Sequence, residues 1–482
     1  MALKMHMVTS AFFRPRIAFG SRAAQSGIKT SPKRIEIKMS FCIDTDLGVD
    51  SQARRPALRN LSPPIRERLS VLFVTPFLPS PPLFGAQRRV HELISGVATS
   101  HDTSVLSLVD PSENQETAIR ATEEYCRRVV TVSNPAYHAG QGRKRLLQLA
   151  SLGSPHSYEW RGHNEGPFGA ALQQMLAHRY DVVHFELAPM AAYAAACSLG
   201  RGGRPILCLD EHNIEYDIVR RTAGVEAGAL RRAYSAIEWR KVRREERHAW
   251  SHLDGCTVTS VRDQDMLLAD EPKAHTAVVP NGVDLEFFQP SRRSHLAAPQ
   301  EAQTLLFFGA IDYYPNTDAM LFFLHDALPQ LAARYPRLRL CIVGRKPPES
   351  IVAQRSATVE VTGVVEDVRP WIERADVVIV PLRIGGGTRL KILEAMAMGK
   401  AVVSTTLGAE GLEVVPERDL LIADDAGSLV AQIGRLLDDP ELGRRIGASA
   451  RQLVASRYSW KAAVHSLSTF YGKLLETRAS VA

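Results

Sequence analysis

Gly385, Gly386 and Gly387 run into Thr388 and Arg389, with Lys391 and Glu394 close behind. Glycines let a backbone approach a ligand closely, and a helix N-terminus offers unpaired N–H groups and a positive dipole end. Thr388 is of a type that caps such a helix. Arg389 and Lys391 add full positive charge, so the stretch suits a phosphate or diphosphate. Glu394, one turn into the helix, is suited to accept hydrogen bonds from hydroxyls such as those of a ribose. Taken alone, the same residues serve equally well as a tight turn with Lys391 and Glu394 paired on the surface. Two more positions draw notice. Gly85 closes a proline-rich loop, and His212 ends the run Asp210-Glu211-His212-Asn213. An imidazole there is either a titratable site group or an ordinary polar loop end.

The flanking patterns say what must hold these residues. Val377 to Pro381 reads as a buried parallel strand, Arg389 to Met398 has helical spacing, Gly399 suits a C-cap, and Ala401 to Ser404 reads as the next strand. Leu69 to Thr75 is a strand leading through the loop to Gly85 and a helix from Arg88 to Ala98. Asp181 to Phe185 and Pro205 to Leu209 are further strands, the second delivering His212. Thr304 to Gly309, Arg339 to Gly344 and Val359 to Gly363 begin a second alternating series, with a helix expected over Asn316 to Tyr335. Strands alternating with helices imply parallel sheets, whose ligands bind at the strands' carboxyl ends. The expectation is an α/β chain of two tandem Rossmann-like domains facing across a cleft, with the amphipathic segment from Ser459 crossing back onto the first.

Its boundaries are drawn at 1–68 for a basic, disordered extension carrying no chemistry, 69–289 for the first domain and 290–303 for a linker. The second domain is drawn at 304–458 and the crossing helix and tail at 459–482. Glu186 is expected to cap the helix that starts at Pro189, and the region from Ser133 to Gly166 to form loops. Glu410 reads as a residue near the ligand or as a helix-start carboxylate. The highly charged segment Arg231 to Arg247 reads as a solvated helix.

Composition narrows the partners. The 482 residues carry 59 Lys and Arg against 52 Asp and Glu, a net charge of +7. This permits contact with an anionic membrane surface or a phosphorylated substrate, and no motif with interleaved aromatics points to nucleic acid. Six separated cysteines without a Cys-x-x-Cys pair fit a reduced, cytoplasmic setting, peripheral at most to the inner membrane face. No run approaches the ~20 apolar residues of a membrane span. Neither glycine loop supplies the Gly-x-Gly-x-x-Gly of a nicotinamide-dinucleotide site.

The ordered motifs carry a resemblance. VVPNGVD at Val278, FFGAIDYYPNTDA at Phe307, CIVGRKP at Cys341, VTGVVEDVRPWIERADVVIVPL at Val361, GGGTRLKILEAMAMGKAVVST at Gly385 and GAEGL at Gly408 resemble the family 4 glycosyltransferases (glycosyl transferases group 1) of the GT-B fold. That likeness implies a hexosyltransferase that moves a sugar from a nucleotide diphosphate donor, with retention and without a required metal or other cofactor. The acceptor would be a polysaccharide, a lipid-linked sugar or a small metabolite. It implies that Glu394 holds the ribose, that His212 positions the donor sugar, and that Gly85 belongs to the loop facing both substrates. Gly386 stands where many relatives carry a carboxylate, and Ala310-Ile311-Asp312 with Asn316 where many carry an Arg and a Lys. Gly385, Gly386, Gly387, Thr388, Arg389 and Lys391 would then bind the diphosphate. A GT-B epimerase and an inactive binding scaffold are the alternatives.

Overall fold

The computed structural model describes residues 68–82, 84–137, 141–164, 166–199, 204–225, 228–290 and 302–481. Residues 1–67 of the extension expected at 1–68 and most of the linker expected at 290–303 lie outside these residues.

Short apolar runs make the strands, because in a sheet covered on both faces every side chain is buried. The first sheet holds β1 (Ser70–Thr75), β2 (Asp102–Val109), β3 (Arg128–Ser133), β4 (Val182–Glu186), β5 (Ile206–Glu211), β6 (Gly255–Val258) and β7 (Thr276–Val278). Its order is β3-β2-β1-β4-β5-β6-β7 and every pairing is parallel. The second sheet holds β8 (Thr304–Phe308), β9 (Arg339–Val343), β10 (Val359–Gly363), β11 (Val377–Val380), β12 (Ala401–Ser404) and β13 (Leu421–Ile422). Its order is β10-β9-β8-β11-β12-β13, again all parallel. Strand order reverses where β1 meets β4 and where β8 meets β11. Those switch points leave a crevice at the carboxyl ends, where open α/β sheets bind ligands. Both glycine loops sit there, one after β1 and one after β11. The architecture is therefore the expected pair of Rossmann-like domains.

The terminal helix Trp460–Val481 returns to the first sheet, against the helix Gly85–Ala98 and strands β5 and β7. The chain turns where the Val283 N–H donates to the Tyr458 carbonyl at 2.8 Å. Phe470 and Leu474 cover Gly255, where a Cβ would fall 2.7 Å from each. Tyr471 is fully buried, and its hydroxyl shares a hydrogen bond with His184 Nδ1 at 2.8 Å.

The helix expected from Pro189 is present, wound as 3-10 turns over Ala188–Leu199. Two other expectations change. The helix expected over Asn316 to Tyr335 breaks into Tyr314–Phe322, a π turn at Phe323–Ala327 and Leu328–Arg334. Pro329 has no N–H to continue the ladder, and the wider turn absorbs that loss. The expected loops from Ser133 to Gly166 contain helices Gln141–Leu152 and Tyr158–His163. The first hides its helical signal because three of its four leucines, Leu146, Leu149 and Leu152, face outward.

Removing the Tyr471 hydroxyl leaves a buried ring nitrogen unpaired. Tyr471→Phe is expected to lower stability by about 1–3 kcal/mol. An unchanged midpoint in denaturant unfolding would show that His184 finds another partner.

Candidate functional site

In the second domain the glycine loop follows β11. Gly385 and Gly387 adopt φ of +113° and +76°, values that favour glycine. The helix that follows is Leu390–Ala397, with Arg389 at its N-cap position. Thr388 therefore does not cap it, and its Oγ1 is buried without a hydrogen-bond partner among the described residues. Arg389 donates through Nη1 to the Gly386 carbonyl. Its Nε and Nη2 are buried and have no such partner. Burial lowers the Arg389 pKa from the usual arginine value.

Lys391 reaches back to the loop after β8. Its Nζ donates to Asn316 Oδ1 at 2.9 Å and lies 4.0 Å from the centre of the Phe307 ring. Asn316 Nδ2 in turn donates to the Ala310 carbonyl at 2.7 Å. A lysine from the helix thus stands at the loop where the sequence has Ala310-Ile311-Asp312. Burial, with the Arg389 charge adding to it, pulls its pKa down to about 7. Glu394 lies on the same helix. Burial raises its pKa, while the positive charges of Arg88 and Lys391 oppose that rise.

In the first domain the carboxyl ends of β4 and β5 set Glu186 beside Asp210 in register. Asp210 is fully buried and accepts from Arg89 Nε and Nη2, both at 2.7 Å, and from Thr257 Oγ1. Arg89 belongs to the helix Gly85–Ala98, and its Nη1 donates to Asn281 Oδ1 at 3.1 Å. Burial opposes ionisation of Asp210, but the Arg89 charge outweighs it and holds the carboxyl well below the usual range. His212 follows β5. Its Nε2 lies 2.8 Å from Glu186 Oε2 and 3.3 Å from Asp210 Oδ2. Burial disfavours its charged form, yet the hydrogen bonds it donates to Asp210 and Glu186 raise its pKa to about 9. His212 Nδ1 is buried with no partner among the described residues. Glu186 thus orients His212 and does not cap the helix expected at Pro189. His184, Glu186 and Asp210 have ligand atoms within 4.8 Å of one another. The Asp210 oxygens are already committed to Arg89 and Thr257, so this cluster is a charge network rather than an open metal cage.

The two domains meet across the crevice. A Cβ on Gly386 would fall 2.6 Å from Ile218 Cγ1, and one on Gly387 would fall 1.8 Å from Asn213 Oδ1. Ile218 lies on helix Glu215–Val225, which starts just after His212. A carboxylate at position 386 has no room in this arrangement. A Cβ on Gly85 would lie 3.6 Å from Leu390 Cδ1, so the first glycine loop faces the start of the second domain's helix. Glu410 does not start a helix. It accepts from Arg221 Nη1 at 2.8 Å and Nη2 at 3.1 Å, and lies 3.1 Å from Arg262 Nε. Both arginines also bind Asp217 of the first domain.

The structure thus brings Gly85, Gly385, Gly386, Gly387, Thr388, Arg389, Lys391 and Glu394 to one crevice, with His212 at the end of a strand on its other wall. Sequence reading missed Arg88, Asn213, Ile218, Arg221 and Arg262 there. It also missed Glu215, whose pKa burial raises to about 7. Asn213 and Glu215 lay within reach of inference, since they flank His212. Ile218 and the two arginines carry no local signal, because only tertiary contact defines their role.

Two outcomes follow. Gly386→Ala is expected to weaken domain closure, read as a larger radius of gyration by small-angle scattering, and Ile218→Ala added to it should restore compaction. Equal radii for all three proteins would remove Ile218 as the obstacle. The raised pKa of His212 keeps it charged below about pH 9. That group's stabilising contribution is full below the unfolded value near pH 6.5 and is lost as pH rises through the folded one. In His212→Gln the fall in unfolding stability between those limits should flatten. Urea titrations at several pH values would show it.

Comparison with known proteins adds lineage. A family model described as Glycosyltransferase Family 4 matches residues 84–287, and one described as Glycosyl transferases group 1 matches 302–439. A phosphatidyl-myo-inositol mannosyltransferase of Mycolicibacterium smegmatis is 32% identical over 190 residues, covering 38% of this chain and 48% of that one. The chain spans about half the length of the curated relatives it matches in this group. Among solved structures, a sucrose-phosphate synthase of Thermosynechococcus elongatus superposes with a TM-score of 0.62 at 19% identity, covering 85% of this chain and all (100%) of that one. HepE of Anabaena in complex with UDP gives 0.59 at 16% identity, covering 86% and 100%. The two parallel sheets and their crevice are the GT-B fold, and the chain belongs to the family 4, group 1 glycosyltransferases.

Proposed function

We propose that the chain is a retaining, metal-independent glycosyltransferase moving a hexose from a nucleoside diphosphate sugar to a saccharide, lipid-linked or small-molecule acceptor. The observation that carries this reading is the pair Arg389 and Lys391. Both lie half-buried beside the glycine loop at a switch point, and Arg389 keeps two buried nitrogens, Nε and Nη2, without partners among the described residues. Such cations stabilise the charge that develops on a departing diphosphate, and this does not require a metal. Glu394 is assigned the ribose hydroxyls. His212, charged and held by Glu186, offers its unpartnered Nδ1–H to a hydroxyl of the donor sugar. Closure of the crevice brings the acceptor oxygen to the anomeric carbon, and the departing phosphate takes the acceptor's proton. The name of the mycobacterial relative supports a lipid-linked acceptor. The five described cysteines are unpaired, in keeping with a cytoplasmic protein, and a lipid-linked acceptor would bring it into peripheral contact with a membrane.

A thermal-shift screen with nucleotide sugars, followed by transfer assays, tests the reading. Arg389→Ala is expected to weaken donor binding by about 10–100-fold, the loss of one or two charge-assisted hydrogen bonds. Absence of binding, transfer or nucleotide release with every donor would overturn the proposal. Nucleotide release with sugar isomerisation and no transfer would reassign the chain as an epimerase. The lowered pKa of Lys391 adds a second expectation. Donor binding should take up a proton, so affinity falls as pH rises above about 7, and Lys391→Arg should remove that slope in calorimetric titrations.

A further inference from the structure

Helix Gln141–Leu152 is turned inside out. Ser151 faces inward, and its Oγ lies 3.0 Å from Glu238 Oε1 and 3.3 Å from the Tyr234 hydroxyl of the long helix Ala229–His252. Lys241 Nζ of that helix donates to the Ser151 carbonyl at 2.6 Å. Leu146, Leu149 and Leu152 lie outward, 67%, 65% and 42% exposed. Folded cores place leucines the other way round, so an outward apolar stripe on an ordered helix marks an interaction surface.

The long helix extends the stripe. Tyr234, Glu238 and Lys241 share one of its faces by helical spacing, and Leu230 and Ile237 fall on that same face. Leu230 is 89% exposed and Ile237 is 43% exposed. Five large apolar side chains are therefore exposed on two helices that pack against each other.

Cations border this patch. Arg145 is exposed within the stripe. Arg161 donates to the Ala150 carbonyl and Arg244 to the Pro155 carbonyl at the far end of the helix. We propose that the outward face of Gln141–Leu152, with Leu230 and Ile237, seats the protein on an anionic lipid surface. Leucines buried at the headgroup boundary beside arginines that meet anionic headgroups form the usual combination for an interfacial helix. A second copy is disfavoured, because a two-fold contact would set this basic rim against itself. Residues 1–67 are disfavoured for the same reason, since they carry 12 Lys and Arg against 5 Asp and Glu.

The inference deepens the membrane contact proposed above and names its element, which is not the arginine stripe of residues 231–247 alone. Flotation of the full chain with vesicles tests it without any donor sugar, so its failure leaves the transfer reading intact. The protein is expected to float with vesicles of equal phosphatidylglycerol and phosphatidylcholine and to stay at the bottom with phosphatidylcholine alone. Leu146→Glu with Leu149→Glu should weaken partitioning by roughly tenfold or more, while donor-induced thermal shifts stay unchanged. Both positions are exposed, so the fold should tolerate the change. Leu146→Ser with Leu149→Ser provides a milder pair expected to behave alike. The proposal is overturned if the unaltered chain does not float with the anionic vesicles, or if both pairs float as it does. It is also overturned if the leucines instead hold a dimer that the Glu pair dissolves, with no change in flotation.

Discussion

The buried ion pair between Arg89 and Asp210 is the contact on which the first domain's half of the crevice depends. Asp210 ends a central strand and is wholly enclosed. An unpaired carboxylate there would have to take a proton or open the fold. Arg89 satisfies both its oxygens and in doing so ties the helix after the first glycine loop to β5. It also reaches Asn281 beside the turn where the terminal helix returns, so loop, sheet and turn share one cation. Removing one partner of such a buried pair costs about 3–5 kcal/mol, because the other is left uncompensated. With Asp210 held charged, His212 gains the negative neighbour that keeps it protonated. The charge state of the histidine thus depends on Glu186 and, through Asp210, on an arginine remote from it in sequence.

Closure rests on different physics. Gly386 and Gly387 lie so near Ile218 and Asn213 that any side chain would hold the walls apart. Glycine here is needed for close approach between domains as much as for backbone freedom. The clamp of Arg221 and Arg262 on Glu410 is partly exposed, where each ion pair contributes roughly 1 kcal/mol or less. Such a clamp can form and release, as a crevice that must admit and discharge a substrate requires.

The anion-binding wall shows a trade between carboxylate and cation. No acidic side chain fits at 386, so the carboxylates that act on Lys391 and Arg389 are Glu394 and Glu410, and neither outweighs their burial. Lys391 answers with a lowered pKa and with the Phe307 ring and Asn316 as neutral partners. A diphosphate would supply the missing counter-charge. The first domain arranges the converse, with two carboxylates enclosing one histidine and one arginine.

Residue type and spacing by themselves determined the two βαβ series, the glycine loops at strand ends, the anion-suited cluster from Gly385 to Glu394, and the family. These are local properties: a strand is an apolar run, and a helix N-terminus is the residue after a glycine turn. The sequence also placed His212 at a strand end, because the apolar run stops there. What only the tertiary structure decided depends on pairs far apart in the chain. Glu186 turned from a helix cap into the partner of His212, because β4 and β5 lie side by side. Thr388 lost its capping role when Arg389 took the N-cap position. Ile218 set the size limit at Gly386, and Glu410 found two arginines about 150 to 190 residues away in sequence. The helix Gln141–Leu152 was hidden for a related reason. Three of its four leucines face solvent, so the periodicity that marks a core-facing helix pointed to no core, and only the folded chain shows what its inner face touches.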